Sequence, residues 1–417
     1  MEQLAFLTPD QVRHIAQNFG TPVFVYDQKT LEKRAAEVLA FPNAFGLTAR
    51  YAMKALPNLA IIRILTATGL HIDASSGFEA ERAMRAGVAP EKIQITAQQI
   101  PANLPDLVKQ GVLYNACSLH QLKTYGEWFP GTEVTVRINP GLGSGSTNRT
   151  NVGGPSSSFG IWHEQLPQIF EIADAHHLRV TGMHTHIGSG SDPNVWVNVA
   201  KMTLGIAARM PDVTTLSLGG GYKVARMADE KKTDLQEIGN KVLPEFEAFA
   251  KEHGRKLHLE VEPGTYLAAN SGAIVCNIID TVSTGEEGYK FVKVNSGMTE
   301  VLRPSLYGAQ HPLIVVPAQE EPRSTGYYLV AGHCCESGDI LTPAPGDSEG
   351  LHPRQLVEPH IGDHLVIEGA GAYCSGMASK HYNSFPEAAE VLLTTSGEFQ
   401  LVRKAQSLDQ VLQNEVV

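Results

Sequence analysis

The chain has no apolar run approaching the ~20 residues that a helix needs to span a bilayer. It has no block of basic residues either, and its formal net charge of -11 excludes nucleic acid and anionic membrane as natural partners. The opening Met1-Glu2-Gln3-Leu4 lacks a basic segment followed by an apolar one, so no secretory signal is expected. Cysteine is scarce: Cys117, Cys276, Cys334, Cys335 and Cys374 are odd in number. They fit neither a disulfide framework nor a zinc spacing, which points to a reducing cytoplasm and to no structural metal. No internal repeat or low-complexity tract stands out.

What remains is an ordinary globular composition, 42% hydrophobic and 18% charged over 417 residues, enough for two domains. From about residue 46 to 262, short β-branched runs alternate with amphipathic stretches. The expected strands are Leu47–Met53, His71–Ser75, Lys92–Thr96, Leu113–Cys117, Glu133–Ile138, Arg179–Thr185, Thr214–Leu218 and Leu257–Glu262. Helical periodicity separates them, as in Gly77–Ala86 and Leu235–Glu252. Strict alternation implies parallel pairing through helical crossovers, and eight units make a TIM (β/α)8 barrel over residues 46–272. Beyond Pro263 the pattern becomes strands separated by Pro-, Gly- and Ser-rich loops such as Leu341–Gly350. A second, mostly antiparallel β domain is expected over 273–417 and 1–45, with Pro22–Tyr26 as a strand that could join its sheet.

A barrel keeps its chemistry at the C-terminal ends of its strands. Lys54, in Tyr51-Ala52-Met53-Lys54, falls there, and a partly desolvated amine can form a Schiff base with an aldehyde cofactor. His184 and His186 end the sixth strand, readable as a metal pair or as polar rim histidines. Gly219-Gly220-Gly221 follows the seventh strand and lets backbone N–H groups approach a phosphate closely. Glu262 ends the eighth. It could pair with a nearby cation, or hold the proton on a ring nitrogen and make that ring an electron sink. Lysine, phosphate cradle and carboxylate together point to pyridoxal 5'-phosphate.

These residues, with Asp73–Glu79, Arg137-Ile138-Asn139-Pro140, His186–Ser189, Glu262-Pro263-Gly264, Arg303–Tyr307, Cys335–Asp339, Gly371-Ala372-Tyr373 and Tyr382-Asn383-Ser384, occur in the order of a known family. The chain resembles, over almost its whole length, the alanine-racemase-like (fold type III) pyridoxal-phosphate decarboxylases, in particular those acting on meso-diaminopimelate. The resemblance implies that Lys54 carries the cofactor and His186 stacks on its ring. It places Ser189, Gly219, Gly220, Gly221, Gly264 and Tyr373 around the cofactor, with Glu262 on the ring nitrogen. Arg303 and Tyr307 would grip the distal carboxylate of the substrate, with Glu336 and Tyr373 also in contact with it. Cys335 and Glu336 would reach the site of a second subunit in a homodimer, and Cys335, or else the freed Lys54, would return a proton to Cα. The implied reaction releases CO2 and L-lysine, the last step of lysine synthesis.

The sequence departs from that family at three points. Thr265 stands where the family has a substrate-binding arginine, Asn295 where it often has aspartate, and Phe385 where it has arginine. Arg149 and Lys380 are candidates for the missing charge. Residues 141–158, rich in Gly, Ser, Thr and Asn, form a polar loop suited to a lid. The remaining alternatives are a decarboxylase of another basic amino acid or of a carrier-bound glutamate, a racemase, and a non-catalytic cofactor carrier. A racemase of this type would place an arginine where Glu262 stands, and a carrier would lack the β domain.

Overall fold

The computed structural model describes residues 2–143, 153–186 and 188–416. Two compact units divide the chain: Glu32–Val224 with Lys231–Leu267, and Met1–Leu31 with Ala225–Glu230 and Ala268–Val417.

In the first unit the strands Leu47–Ala52, His71–Ala74, Ile93–Thr96, Leu113–Ala116, Glu133–Asn139, Arg179–His184, Thr215–Ser217 and His258–Val261 pair in parallel, each with the next. His258–Val261 pairs back with Leu47–Ala52, so the sheet closes into the expected eight-stranded barrel. Parallel strands are covered on both faces, which is why Ile72, Ile93, Ile95, Val136, Leu216 and Leu259 are all buried. The helices begin where the sequence supplies a cap: Asn58, Ser76, Ser118, Asp192 and Asp234 each accept a backbone N–H of the first turn. These caps turn the chain sharply after a strand and hold the strand ends in place.

The second unit is built on a nine-stranded sheet. Its pairs are antiparallel except Val23–Asp27 with Ala389–Leu393, and Lys290–Val294 with Thr325–Ala331. Val23–Asp27 does join this sheet, lying antiparallel to Gly272–Ser283 on its other side. The helix Pro9–Phe19, started by a Thr8/Gln11 capping box, seals a core containing Val12, Ile15, Val23, Val25, Val275, Val366 and Val391. The stretch Leu341–Gly350 is not a plain loop, since Asp347–Leu351 pairs with Pro343–Ala344 through a turn at Gly346 with φ 76°.

One carboxyl in this unit sets a pH dependence. Glu368 is 3% exposed; its Oε1 accepts the Ala5 N–H at 3.0 Å, and its Oε2 has no partner among the described residues. Burial pushes it up to about 7, against the Ala5 hydrogen bond. The folded state therefore binds this proton more tightly than the unfolded chain. The stability it contributes is present below the unfolded value of 4.5 and is lost as pH rises through about 7. That shift bounds the effect at about 3 kcal/mol. Glu368→Gln should match the wild-type melting temperature near pH ~5 and exceed it near pH ~8. Parallel melting curves across that range would contradict the assignment.

Candidate active site

Lys54 lies in the one-turn helix Met53–Ala55, two residues beyond the first barrel strand, and is exposed. Its turn is braced from the eighth strand. The Ala52 N–H donates to Pro263 O at 3.1 Å, and a Cβ on Gly264 would come within 3.2 Å of Ala52 O and of the Ala55 Cβ. Glu262-Pro263-Gly264 thus fixes the backbone that presents the amine.

Glu262 is 6% exposed and held from two neighbouring strands. The Nε2 of His184 lies 2.8 Å from its Oε2, and the Ser217 hydroxyl donates to its Oε1 at 2.9 Å. Burial alone would raise this carboxyl. The His184 ring, the Ser217 hydroxyl and His186 outweigh it and hold Glu262 well below the usual carboxylate range. Each oxygen keeps a second lone pair for a further donor. Because Nε2 of His184 faces a carboxylate, it carries the hydrogen. The other nitrogen, Nδ1, is buried with no partner among the described residues.

His186 differs. Burial first, then Arg137 and His184, lower it well below the ordinary histidine value, so its ring is neutral. Its Nδ1 accepts the Gly220 N–H at 3.2 Å, which leaves the ring hydrogen on Nε2. Gly219 and Gly221 adopt φ of 71° and 100°. Cβ atoms at the three glycines would strike His186, the Glu262 carbonyl and the Gly188 carbonyl in turn, so no other residue fits. The Gly219 N–H is engaged by Ser217 Oγ at 3.1 Å.

Asp73 and Arg137 join the cluster without having been singled out from the sequence for a role. Burial, then the Glu262 charge, push the Asp73 carboxyl up, with Lys54 opposing them. Asp73 Oδ1 and Arg137 Nη2 are buried and without partners among the described residues. The Arg137 guanidinium also sits 4.7 Å from the Phe159 ring centroid. Asn139 ties both ends of the long loop: its Oδ1 accepts from Gly141 N at 3.1 Å and Gly154 N at 2.9 Å. Residues 144–152, including Arg149, lie outside the described residues.

The barrel cluster fits pyridoxal 5'-phosphate. It offers an accessible lysine amine, a buried carboxylate kept ionised with lone pairs free, and a neutral flat imidazole. It also offers a glycine turn no side chain can enter and three buried polar atoms lacking partners among the described residues. Among the described residues no group of three or more His, Cys, Asp or Glu is arranged to hold a metal ion. The histidine pair is explained by Glu262 and Gly220.

The β unit carries the remaining expected residues. Arg303 opens the short helix Arg303–Tyr307, its guanidinium 5.9 Å from the Tyr307 ring centroid. Ser305 Oγ donates to Gly338 O at 2.8 Å, joining that helix to the loop bearing Cys335 and Glu336. Glu336 accepts from Gly338 N at 3.1 Å and from the Tyr382 hydroxyl at 3.2 Å, and Cys335 N donates to Asn383 Oδ1 at 2.8 Å. Cys335 is the exposed cysteine of the five. Tyr373 takes a left-handed φ of 56° in a turn where Gly371 packs against Ala268 and Gly272 backbone. Lys380 is engaged with Glu387 at 2.8 Å. Asn295 Nδ2 donates to Thr21, and Phe385 stacks on His333 at 3.7 Å between centroids, so both departures have structural employment.

Residues 30–269 match the family model described as the pyridoxal-binding domain of pyridoxal-dependent decarboxylases. The chain is 33% identical to a diaminopimelate decarboxylase of Escherichia coli, covering 99% of this chain and 97% of that protein. It is 34% identical to one of Streptomyces coelicolor, over 96% and 90%. A crystal structure of a diaminopimelate decarboxylase superposes with a TM-score of 0.91 at 32% identity, covering 98% of this chain and 96% of the other. One from Helicobacter pylori complexed with L-lysine gives 0.84 at 26%, over 96% and 98%.

Proposed function

We infer, from a chain that belongs to the pyridoxal-dependent decarboxylases, that it removes one carboxylate of meso-2,6-diaminopimelate to give L-lysine and CO2. The observation that carries this is similarity to diaminopimelate decarboxylases over nearly the entire length of both chains, with the barrel cluster complete. Pyridoxal 5'-phosphate, when bound, supplies the electron sink that accepts the pair from the breaking bond between Cα and the carboxylate.

The chain's own residues do the rest. Lys54 would hold the cofactor through its amine. Glu262 holds a proton on the ring nitrogen; His184 and Ser217 keep it ionised and aimed. Neutral His186 would meet the cofactor ring without adding positive charge there. Ser189, the glycine turn 219–221 and Tyr373 would surround the phosphate, with the Gly219 and Gly220 N–H groups engaged by Ser217 and His186. Arg303 and Tyr307 bind the carboxylate that stays, because a guanidinium fork matches a carboxylate in two parallel hydrogen bonds. Once CO2 has left, Cα takes up one proton in its place, and Cys335 would deliver it.

The working unit is a cytoplasmic homodimer in which Cys335 and Glu336 serve the partner's barrel. Exposure of Cys335, in a loop fixed by Asn383 and Tyr382, supports this. Mixing inactive Lys54→Ala and Cys335→Ala proteins under conditions of subunit exchange should then restore up to about a quarter of wild-type activity, as half the dimers acquire one intact site. No restored activity from a mixture shown to exchange would contradict a shared site.

The substrate assignment is tested by incubating holoenzyme separately with meso-diaminopimelate, D-lysine, D-ornithine and L-ornithine. CO2 from meso-diaminopimelate alone is expected. Release from another substrate instead would keep the chemistry and overturn the assignment.

A further inference from the structure

The hexapeptide Ala225–Glu230 follows the seventh barrel strand in sequence yet belongs to the β unit. It is clipped there. Glu230 Oε2 accepts the backbone N–H groups of Arg226 at 2.6 Å and Met227 at 3.2 Å, and Asn270 Nδ2 donates to Ala225 O at 3.0 Å. The Arg226 side chain is laid out against Gly369, whose φ is 66°. A Cβ there would stand 3.0 Å from Arg226 Cγ, and Arg226 Nε donates to Gly369 O at 2.9 Å. Three independent contacts thus fix both ends of this arginine.

They hold its guanidinium where the Arg303 charge acts on it. Burial first, then Arg303, bring the Arg226 guanidinium down to about 9, and both arginines act on His311 and on Cys374. Two half-buried like charges repel and cost desolvation. The Glu230 carboxylate offsets part of this at Arg226 but gives its Oε2 to backbone N–H groups. Arg226 Nη2 and Arg303 Nε are shut from solvent with no partner among the described residues. His311 cannot replace either, since burial and the two arginines keep it neutral with Nδ1 on the Glu368 carbonyl. Two guanidiniums that act on each other and keep solvent-shut, unused donors are the complement of an anion, and a planar two-oxygen anion fits their forks best.

We propose that Arg226 is a substrate-binding residue that, together with Arg303, holds the carboxylate retained in the product. This rests on the reading of the substrate as diaminopimelate.

L-lysine and cadaverine differ by that one carboxylate, so calorimetric titration of the holoenzyme with each isolates it. For Arg226→Gln, L-lysine affinity is expected to fall about tenfold to a hundredfold while cadaverine affinity stays unchanged. The KM for meso-diaminopimelate should rise by a similar factor, more than kcat falls. Arg226→Lys, which keeps the charge but not the fork, should fall between. Unchanged L-lysine affinity in Arg226→Gln, or equal loss for both ligands, overturns the proposal. A wild-type holoenzyme that neither decarboxylates meso-diaminopimelate nor binds L-lysine sinks the functional reading itself, and the proposal with it.

Discussion

Lys54→Ala is expected to lower turnover by about ten-thousandfold or more, while leaving the melting temperature of the cofactor-free protein essentially unchanged. The first part follows from a single amine having two duties, holding the cofactor and exchanging it for substrate. Loss of groups that act as one unit costs nearly the whole of their joint effect. The second part follows from exposure: Lys54 stands clear of the core, and its turn is braced by backbone contacts to Pro263 and Gly264 that the substitution leaves intact. Borohydride reduction followed by peptide mass analysis separates the duties. Wild-type protein should carry the cofactor on the peptide containing Lys54, and the variant should carry none. Cofactor fixed on another lysine, or turnover within a factor of ten of wild type, would contradict the assignment.

Glu262→Gln should lower kcat by about a hundredfold to ten-thousandfold, with cofactor still bound and KM little changed. The side chain keeps its shape: its oxygen can still accept from Ser217, and its NH2 can donate to His184 once that ring carries its hydrogen on Nδ1, so the barrel has no reason to open. What is lost is the charge that keeps a proton on the ring nitrogen. A structural role alone would show as cofactor loss or a lower melting temperature with kcat preserved in the surviving holoenzyme. Glu262→Asp, which retains the charge on a shorter stem, should recover part of the loss. A Gln variant with wild-type kcat would remove Glu262 from the chemistry.

Period and position made the barrel legible: strand runs alternate with helices, and the polar residues Lys54, His186 and Glu262 fall at strand ends. The boundaries moved by a residue or two, so that Lys54 sits in a turn beyond its strand rather than at its end. The partnership of His184 with Glu262 was not legible, because 78 residues separate them and only barrel closure brings them together. Asp73 was visible as part of a motif, but its burial beside Lys54 and Glu262 is a packing property. Arg226 reads as an ordinary surface cation within Lys223-Val224-Ala225-Arg226; nothing local shows that its segment joins the other unit.

The β unit was harder to read for the same reason. Ala389–Leu393 is buried throughout and gives no alternation by which to recognise a strand. Asp347–Leu351 is a two-faced hairpin strand hidden among turn residues. The helix Pro9–Phe19 did carry a local signal, since Thr8-Pro9-Asp10-Gln11 is a capping box ahead of an amphipathic run.

The most direct measurement is the stoichiometry and configuration of the product from meso-diaminopimelate. Holoenzyme is allowed to run to completion, CO2 is counted, and lysine is resolved by chiral chromatography. One L-lysine per CO2, with no D-lysine, is the expected result. CO2 without lysine, D-lysine as product, or interconversion of diaminopimelate stereoisomers without CO2 would contradict it.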